Sequence, residues 1–345
     1  MSLELLTVQW KDNSVILIDQ TKLPNKLEYV RCKTYQEVAD AIKNMVVRGA
    51  PAIGVSAALG LALAAINSKS KTRDALLKDL ELAYNTLRST RPTAVNLFWA
   101  LERVMNKARE ARDIASIKKS ILDEALKMLN EDIEINQLLG FNGSLLIDDG
   151  DTVLTHCNAG ALATVAYGTA LGVLRAAKEH GKRINVIATE TRPVMQGARL
   201  TAFELKHDGF DVSLAPDTAI GSLMARGMID KVIVGADRVL RTGHVYNKIG
   251  TYQLAILADK HNIPFYVAAP LSSFDLKSNP DEVIIEERKY DEVIKVGSKR
   301  LVPKGVRIFN PAFDLTPPEL ISAIITEKGV LRQPYERSIA KLFGL

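Results

Sequence analysis

Between residues 5 and 31 apolar and polar side chains alternate, with breaks at Asp12-Asn13 and Pro24-Asn25. A period of two interrupted by turn formers predicts short strands, so the chain should begin with a small β subdomain. From Thr34 the period lengthens. Thr34 stands three residues before Glu37, the spacing at which a hydroxyl and a carboxylate cap a first helical turn reciprocally, and Val38, Ile42, Met45 and Val46 follow at helical intervals. The stretches Ala75 to Arg88 and Leu122 to Leu139 place apolar residues every three or four positions among charged ones. Up to about residue 140 the chain therefore reads as helices, each with one buried face.

Turn formers then gather at Phe141-Asn142-Gly143 and Asp148-Asp149-Gly150-Asp151. Beyond them short apolar runs alternate with amphipathic stretches long enough for crossover helices: Thr152 to His156, Ile184 to Thr189, Val212 to Ala215, Lys231 to Val234 and Pro264 to Ala268. The expected architecture is α/β. A mainly helical N-terminal domain carrying the β subdomain takes residues 1–141, and a C-terminal Rossmann-like domain, a doubly wound parallel sheet, takes residues 142–345. Ligands of such sheets bind where the carboxyl ends of the strands feed the next helices, so the chemistry is to be sought there.

Composition narrows the functional classes. With 345 residues, 47% hydrophobic and 25% charged, the chain can bury an ample core. The net charge of +5 comes without the basic clusters and interleaved aromatics of a nucleic-acid surface, so no nucleic-acid partner is expected. Cys32 and Cys157 are too few for a disulfide framework, Glu4 stands where a signal peptide would be basic, and the expected location is cytoplasmic. Two uncharged stretches reach membrane-spanning length, Gly49 to Ser68 and Thr152 to Leu174. The first is rich in glycine at its start and the second contains Thr155-His156-Cys157-Asn158, so neither reads as a span and no membrane role is expected.

The strand ends hold the candidate chemistry. The first run ends in His156-Cys157-Asn158-Ala159-Gly160-Ala161, small residues that would let a ligand approach backbone N–H groups just before a helix. Cys157 reads there either as a reactive thiol or as a buried apolar one. The second run ends in Glu190-Thr191-Arg192-Pro193, followed by Gln196, Gly197 and Arg199 at a helix start that could hold phosphate. The fourth ends in Gly235-Ala236-Asp237-Arg238, with Asn247-Lys248-Ile249-Gly250-Thr251 opening the next helix. Asp237 suits acid–base chemistry, or equally an ion pair with Arg238 or Lys248. In the N-terminal half, Arg48-Gly49-Ala50-Pro51 and Arg91-Pro92-Thr93-Ala94-Val95-Asn96 each put a cation before a proline-initiated helix, where an anion would be favoured. The five histidines lack zinc spacing, so no metal is expected, and Gly168-Thr169-Ala170-Leu171-Gly172 falls in a helical run where the glycines would serve packing.

Taken together, these segments resemble the methylthioribose-1-phosphate isomerase family, most distinctively in Thr155-His156-Cys157-Asn158-Ala159-Gly160-Ala161-Leu162-Ala163-Thr164, Gly235-Ala236-Asp237-Arg238 and Asn247-Lys248-Ile249-Gly250-Thr251-Tyr252. The likeness runs from Asp19-Gln20 to Asn310-Pro311-Ala312-Phe313-Asp314 and a helix start at Thr316-Pro317-Pro318-Glu319. It implies an aldose–ketose isomerase of methionine salvage acting on a small sugar phosphate, without a cofactor, as a homodimer. It also implies that Cys157 and Asp237 are catalytic and that Arg48, Gly49, Ala50, Arg91, Gln196, Asn247 and Lys248 bind substrate. The wider superfamily includes ribose-1,5-bisphosphate isomerases and the regulatory subunits of initiation factor 2B, so two alternatives stand beside the first: the bisphosphate isomerase and a non-catalytic regulatory subunit. The chain departs from the family in one segment. His244 replaces an acid and Tyr246 an alanine, which bears on substrate detail while Asp237, Asn247 and Lys248 remain.

Overall fold

The computed structural model describes residues 5–91, 95–297 and 299–345. The chain forms a mixed α/β structure of two compact units: residues up to Gln137 together with Ala159–Gly172, and Leu138–Asn158 together with Val173–Leu345.

In the first unit β1 (Val8–Lys11), β2 (Ser14–Ile18) and β3 (Tyr29–Cys32) make an antiparallel sheet in that order. Asp12 and Asn13 link β1 to β2 with both residues at positive φ, 51° and 48°, a conformation their short polar side chains tolerate. Next comes α1 (Tyr35–Lys43), whose capping box is formed: Thr34 Oγ1 accepts the Glu37 N–H at 3.2 Å and Glu37 Oε2 accepts the Thr34 N–H at 3.0 Å. The helix stops before Met45 and Val46, which the sequence periodicity had included. Met45 turns to φ 58°, and the Val46 carbonyl accepts the N–H of Gln20 just past β2, so the end of the sheet takes this segment.

Gly49, at φ 94°, starts α2 (Ala50–Asn67), with Pro51 in its first turn. Residues 52–65 are all buried, because α1, α3 (Arg73–Arg88) and α4 (Val95–Glu110) pack around the helix. A helix surrounded in this way is apolar on every face, which explains its membrane-like composition. The last helix of the series, α5 (Ile114–Ser144), sends Ile117, Ile121, Ala125 and Met128 into the same core. It runs unbroken through Phe141-Asn142-Gly143, where turn residues predicted a break. Gly143 serves close packing instead: a Cβ there would lie 2.4 Å from Val173 Cγ2.

The second unit contains β4 (Thr152–Thr155), α6 (Ala170–Glu179) from Val173 onward, β5 (Asn185–Thr189), α7 (Ala202–His207), β6 (Asp211–Ala215), α8 (Ile220–Ala225) and β7 (Lys231–Val234). It continues with β8 (Arg238–Leu240), β9 (Val245–Lys248), α9 (Thr251–Lys260), β10 (Phe265–Ala268), β11 (Phe274–Asp275), α10 (Asp291–Ile294), β12 (Lys295–Val296) and β13 (Lys299–Arg300). The last elements are β14 (Phe313–Thr316), β15 (Ala323–Thr326), β16 (Gly329–Leu331) and α11 (Tyr335–Phe343). The main sheet has the order β16-β15-β10-β7-β4-β5-β6, parallel throughout except for β16. Every residue of β7, β10 and β15 is buried, as parallel strands covered on both faces require. From β4 the chain proceeds to one edge through β5 and β6, and from β7 to the other edge. The β4/β7 junction is thus the topological switch, where the loops after the two strands diverge and leave a crevice. A second sheet, β11-β8-β9-β14, follows β7 in the chain, and nothing in the periodicity had predicted it.

The segment after β4 departs from expectation. No α-helix begins beside Cys157; a single 3-10 turn, Ala161–Ala163, follows instead. Residues Ala159–Thr169 run to the first unit, where the Val165 and Ala161 carbonyls accept the Thr7 N–H (2.9 Å) and hydroxyl (2.7 Å) and Asp132 Oδ2 accepts the Val165 N–H at 2.7 Å. Gly168 is likewise not helical: at φ 87° it presses on Gly160, and a Cβ would lie 2.4 Å from Gly160 Cα. At Thr316-Pro317-Pro318-Glu319 the expected helix is a single 3-10 turn, Pro318–Leu320.

Candidate active site

Three strand ends of the main sheet meet at the switch point. β4 passes into His156 and Cys157, and Cys157 adopts φ 64°, unusual for a residue with a side chain. β5 passes into Thr191 at φ 61°, rarer still for a β-branched residue. Strain of this kind persists only where the surroundings over-determine it, and here they do. Thr191 Oγ1 accepts the Cys157 N–H at 2.9 Å, while Asp217, just past β6, accepts the N–H groups of Thr191 (2.8 Å) and Arg192 (2.7 Å) with its two carboxylate oxygens.

Beneath this lies a buried polar layer. Thr201 Oγ1 donates to the Cys157 carbonyl at 2.6 Å and accepts from Asn158 Nδ2 at 3.2 Å. Asn158 Nδ2 also donates to Glu204 Oε1 at 2.8 Å, and Glu204 and Asp208 both bind Arg175, at 2.9 and 2.5 Å. The Glu204 charge is thereby paired and hydrogen-bonded, the condition for burying a carboxylate completely.

The turn Gly197–Thr201 is π-helical and lies hard against β5. It presents Gln196, whose Nε2 donates to Cys157 Sγ at 3.4 Å. Gln196 is only 6% exposed, and among the described residues its buried Oε1 has no hydrogen-bond partner. A buried acceptor left open beside a thiol is costly unless a ligand supplies the missing donor.

Asp237, half-buried after β7, donates its N–H to the Tyr246 carbonyl at 3.0 Å. Its neighbour Arg238 forms an ion pair with Asp275 at 3.0 Å. Asn247 and Lys248 end β9 rather than opening the helix as expected. Asn247 Nδ2 donates to Thr251 Oγ1 (3.0 Å), and Lys248 Nζ donates to the Ala312 carbonyl (2.9 Å) and sits over the Phe313 ring. Asp314 caps α9 by accepting the Gly250 and Tyr252 N–H groups at 2.7 and 3.1 Å. Burial pushes its carboxyl up to about 6 in spite of those bonds.

The second unit thus brings Cys157 into contact with Gln196, joins Asp237 to β9 through the Tyr246 carbonyl, and carries Asn247 and Lys248 at the end of that strand. Arg48, Gly49, Ala50 and Arg91 belong to the first unit. There Gly49 touches the Ala163 carbonyl so closely that a Cβ would lie 2.3 Å away, and Arg91 is half-buried. Pro92, Thr93 and Ala94, expected to start a helix, lie outside the described residues, and α4 is described from Val95. Among the described residues no three His, Cys, Asp or Glu side chains converge as metal ligands would. Sequence reasoning missed Thr191, Thr201, Glu204 and Asp217. The strand-end rule applied to Ala215-Pro216-Asp217 would have found the last of these.

The profile of the Initiation factor 2 subunit family matches residues 46–333. The chain belongs to that family. Curated relatives of similar length include methylthioribose-1-phosphate isomerases of Fervidobacterium nodosum, 56% identical over 99% of both chains, and of Thermotoga maritima, 55% identical over 99% of both. A solved 5-methylthioribose 1-phosphate isomerase of Pyrococcus horikoshii is 46% identical, with a TM-score of 0.93, over 98% of this chain and 95% of that one. Another solved member of this Initiation factor 2 subunit family, from A. fulgidus, is described as translation initiation factor eIF-2B, subunit delta. It is 50% identical, with a TM-score of 0.90, over 99% of this chain and 100% of that one.

Proposed function

We propose that this chain is an aldose–ketose isomerase that converts 5-methylthioribose 1-phosphate to 5-methylthioribulose 1-phosphate in methionine salvage. The observation that carries the reading is the Cys157–Gln196 pair at the switch point, with the open Gln196 Oε1 beside it. A sugar hydroxyl supplies the donor that this oxygen lacks. The fold reading that accompanies it is a Rossmann-like, doubly wound catalytic domain over residues 142–345.

Phosphate on the anomeric oxygen prevents ring opening by simple loss of a hydroxyl proton. Asp237, as general acid, gives its proton to the ring oxygen, which leaves C1 as a hydroxyl while C1 becomes an oxocarbenium. The Cys157 thiolate then removes the C2 proton, and the electron pair forms the C1–C2 double bond. Protonation of that enol at C1 and loss of the C2 hydroxyl proton yield the ketone. A direct hydride shift from C2 to C1 reaches the same product and would need a dry pocket more than a base. Gln196, Asn247 and Lys248 orient the sugar, and Arg48, Gly49, Ala50 and Arg91 bind its phosphate.

The A. fulgidus neighbour's description favours a second reading, a non-catalytic regulatory subunit. One assay separates the alternatives: purified protein is offered methylthioribose 1-phosphate, ribose 1,5-bisphosphate and AMP. Isomerisation of the first is expected, and it should persist in EDTA because only side chains move protons. Conversion of the bisphosphate alone favours ribose-1,5-bisphosphate isomerase, and no conversion of either sugar by folded protein favours the regulatory subunit. The enzyme is further proposed to be a cytoplasmic homodimer formed through the C-terminal unit, and a monomeric mass by light scattering at micromolar concentration would refute the dimer.

A further inference from the structure

His156 is 2% exposed, and both of its ring nitrogens are engaged. Nε2 lies 2.9 Å from the Ile249 carbonyl oxygen, which can only accept, so Nε2 carries a proton. Nδ1 lies 2.7 Å from Thr189 Oγ1. Burial disfavours the imidazolium, so the ring is neutral and Nδ1 accepts the Thr189 hydroxyl proton. Thr189 Oγ1 is then available as acceptor to Thr191 Oγ1 at 2.9 Å, the shorter of the two acceptors that the Thr191 hydroxyl reaches. Thr191 Oγ1 in turn accepts the Cys157 N–H.

The result is a hydrogen-bond chain with one direction. It runs from the Cys157 N–H through Thr191, Thr189 and His156 to the Ile249 carbonyl, and that carbonyl fixes the orientation of every proton along it. Three unusual backbone positions lie along it: the left-handed Cys157, the left-handed Thr191, and Gly250, where a Cβ would press on the His156 ring at 3.2 Å. The chain also ties the turn carrying the thiol to the residue that follows Asn247 and Lys248.

We propose that His156 is a positioning residue for the isomerisation: through Thr189 and Thr191 it holds Cys157 in its strand-end conformation, in register with the Asn247–Lys248 turn. This rests on the reading of Cys157 as the reactive thiol. His156 touches no reacting atom and exchanges no proton with substrate. Its effect is to keep the sulfur facing Gln196 Nε2 at the distance catalysis needs, and displacements near 1 Å at such a centre cost about 100-fold in rate.

The experiment combines steady-state kinetics with alkylation of Cys157 by iodoacetamide in the absence of substrate, read by mass spectrometry on the Cys157 peptide of the intact protein. Thr189→Val breaks the middle of the chain with a side chain of the same shape, Thr189→Ser restores the hydroxyl, and His156→Phe removes both ring nitrogens. Thr189→Val and His156→Phe should each lower kcat at least ten-fold with KM within two-fold, and slow alkylation at fixed pH at least three-fold as the Gln196 donor is lost. Thr189→Ser should recover kcat and alkylation to within three-fold of the wild type. Wild-type kcat and alkylation in folded Thr189→Val would overturn the proposal. Equal damage in Thr189→Ser and Thr189→Val would also overturn it, since packing rather than the hydroxyl would then matter. If Cys157→Ser retains full turnover, the catalytic reading of the thiol fails, and the alkylation comparison still decides whether His156 places it.

Discussion

Replacing Gly197 with alanine is the sharpest single test of how the strand-end geometry supports turnover. The new Cβ would sit 1.8 Å from the Thr189 carbonyl oxygen and 2.7 Å from Thr191 Oγ1, whereas real Cβ atoms do not come within 3.0 Å of such neighbours. The π-helical turn and the end of β5 must therefore separate by at least about 1.2 Å. The near atom is backbone, so no side-chain rotation relieves the clash. Overpacking of this kind costs about 1–3 kcal/mol of stability. The larger effect is on the site, because the moving turn carries Gln196 and the moving strand end carries Thr191, which respectively hold the Cys157 sulfur and N–H. A displacement of this size predicts a loss in kcat on the order of 100-fold. Gly221→Ala in α8 is the control: its Cβ meets only the flexible Leu257 side chain at 3.4 Å, and alanine in a helix gains about 0.5–1 kcal/mol. Kinetics on methylthioribose 1-phosphate and thermal melts would be measured on both variants. Turnover within two-fold of the wild type and an unchanged Tm in Gly197→Ala would refute the reasoning.

Cys157→Ser keeps size and hydrogen bonding but replaces a thiol with a far weaker acid, so kcat should fall at least 100-fold with KM nearly unchanged; near-normal turnover would return Cys157 to a structural role. Asp237→Asn cannot protonate the ring oxygen and should give the same kinetic pattern, whereas unfolding of this variant, seen by circular dichroism, would favour a structural ion pair. Arg48→Ala and Arg91→Ala should weaken substrate binding by about 1.5–3 kcal/mol each, read as KM or by calorimetry, with kcat less affected. Asp314 predicts a pH effect. Its folded carboxyl, raised from 3.8 to about 6, binds more protons than the unfolded one in that window, so stability falls as pH rises through it. Relative to Asp314→Asn, which does not titrate there, the wild type should lose on the order of 3 kcal/mol between pH 4 and 7; parallel urea-denaturation curves at both pH values would refute this.

Where local rules act alone, the sequence was readable. The Thr34/Glu37 capping box, the Asp12-Asn13 turn and the five apolar runs of the parallel sheet all appear within a residue or two of their expected positions. Long-range contacts overrode the rest. Asn142 and Gly143 look like turn formers, but Asn142 Nδ2 donates to the Thr326 carbonyl and Gly143 receives Val173, so both stay in α5. In the candidate site, residues with obvious chemistry stood out: a thiol, an acid and an amide at strand ends. Thr191, Thr201 and Glu204 did not, because their contribution is to pair with backbone or buried groups that are distant in the chain. His156 was visible as a neighbour of the thiol, but its partners Thr189 and Ile249 become known only once three strand ends converge.

The passage of Ala159–Gly172 out of the sheet-bearing unit and back has a consequence for inheritance and for engineering. The chain changes unit three times, after Gln137, after Asn158 and after Gly172. A single crossover between two related genes therefore cannot exchange one unit whole. A fragment ending near residue 137 would lack the segment that accepts the hydrogen bonds of Thr7 and Gln20, and a fragment beginning there would carry that segment without its hosts. A chimaera that swaps the first unit must transplant both of its pieces together, so the residues up to Gln137 and the segment Ala159–Gly172 are constrained to diverge as a matched pair.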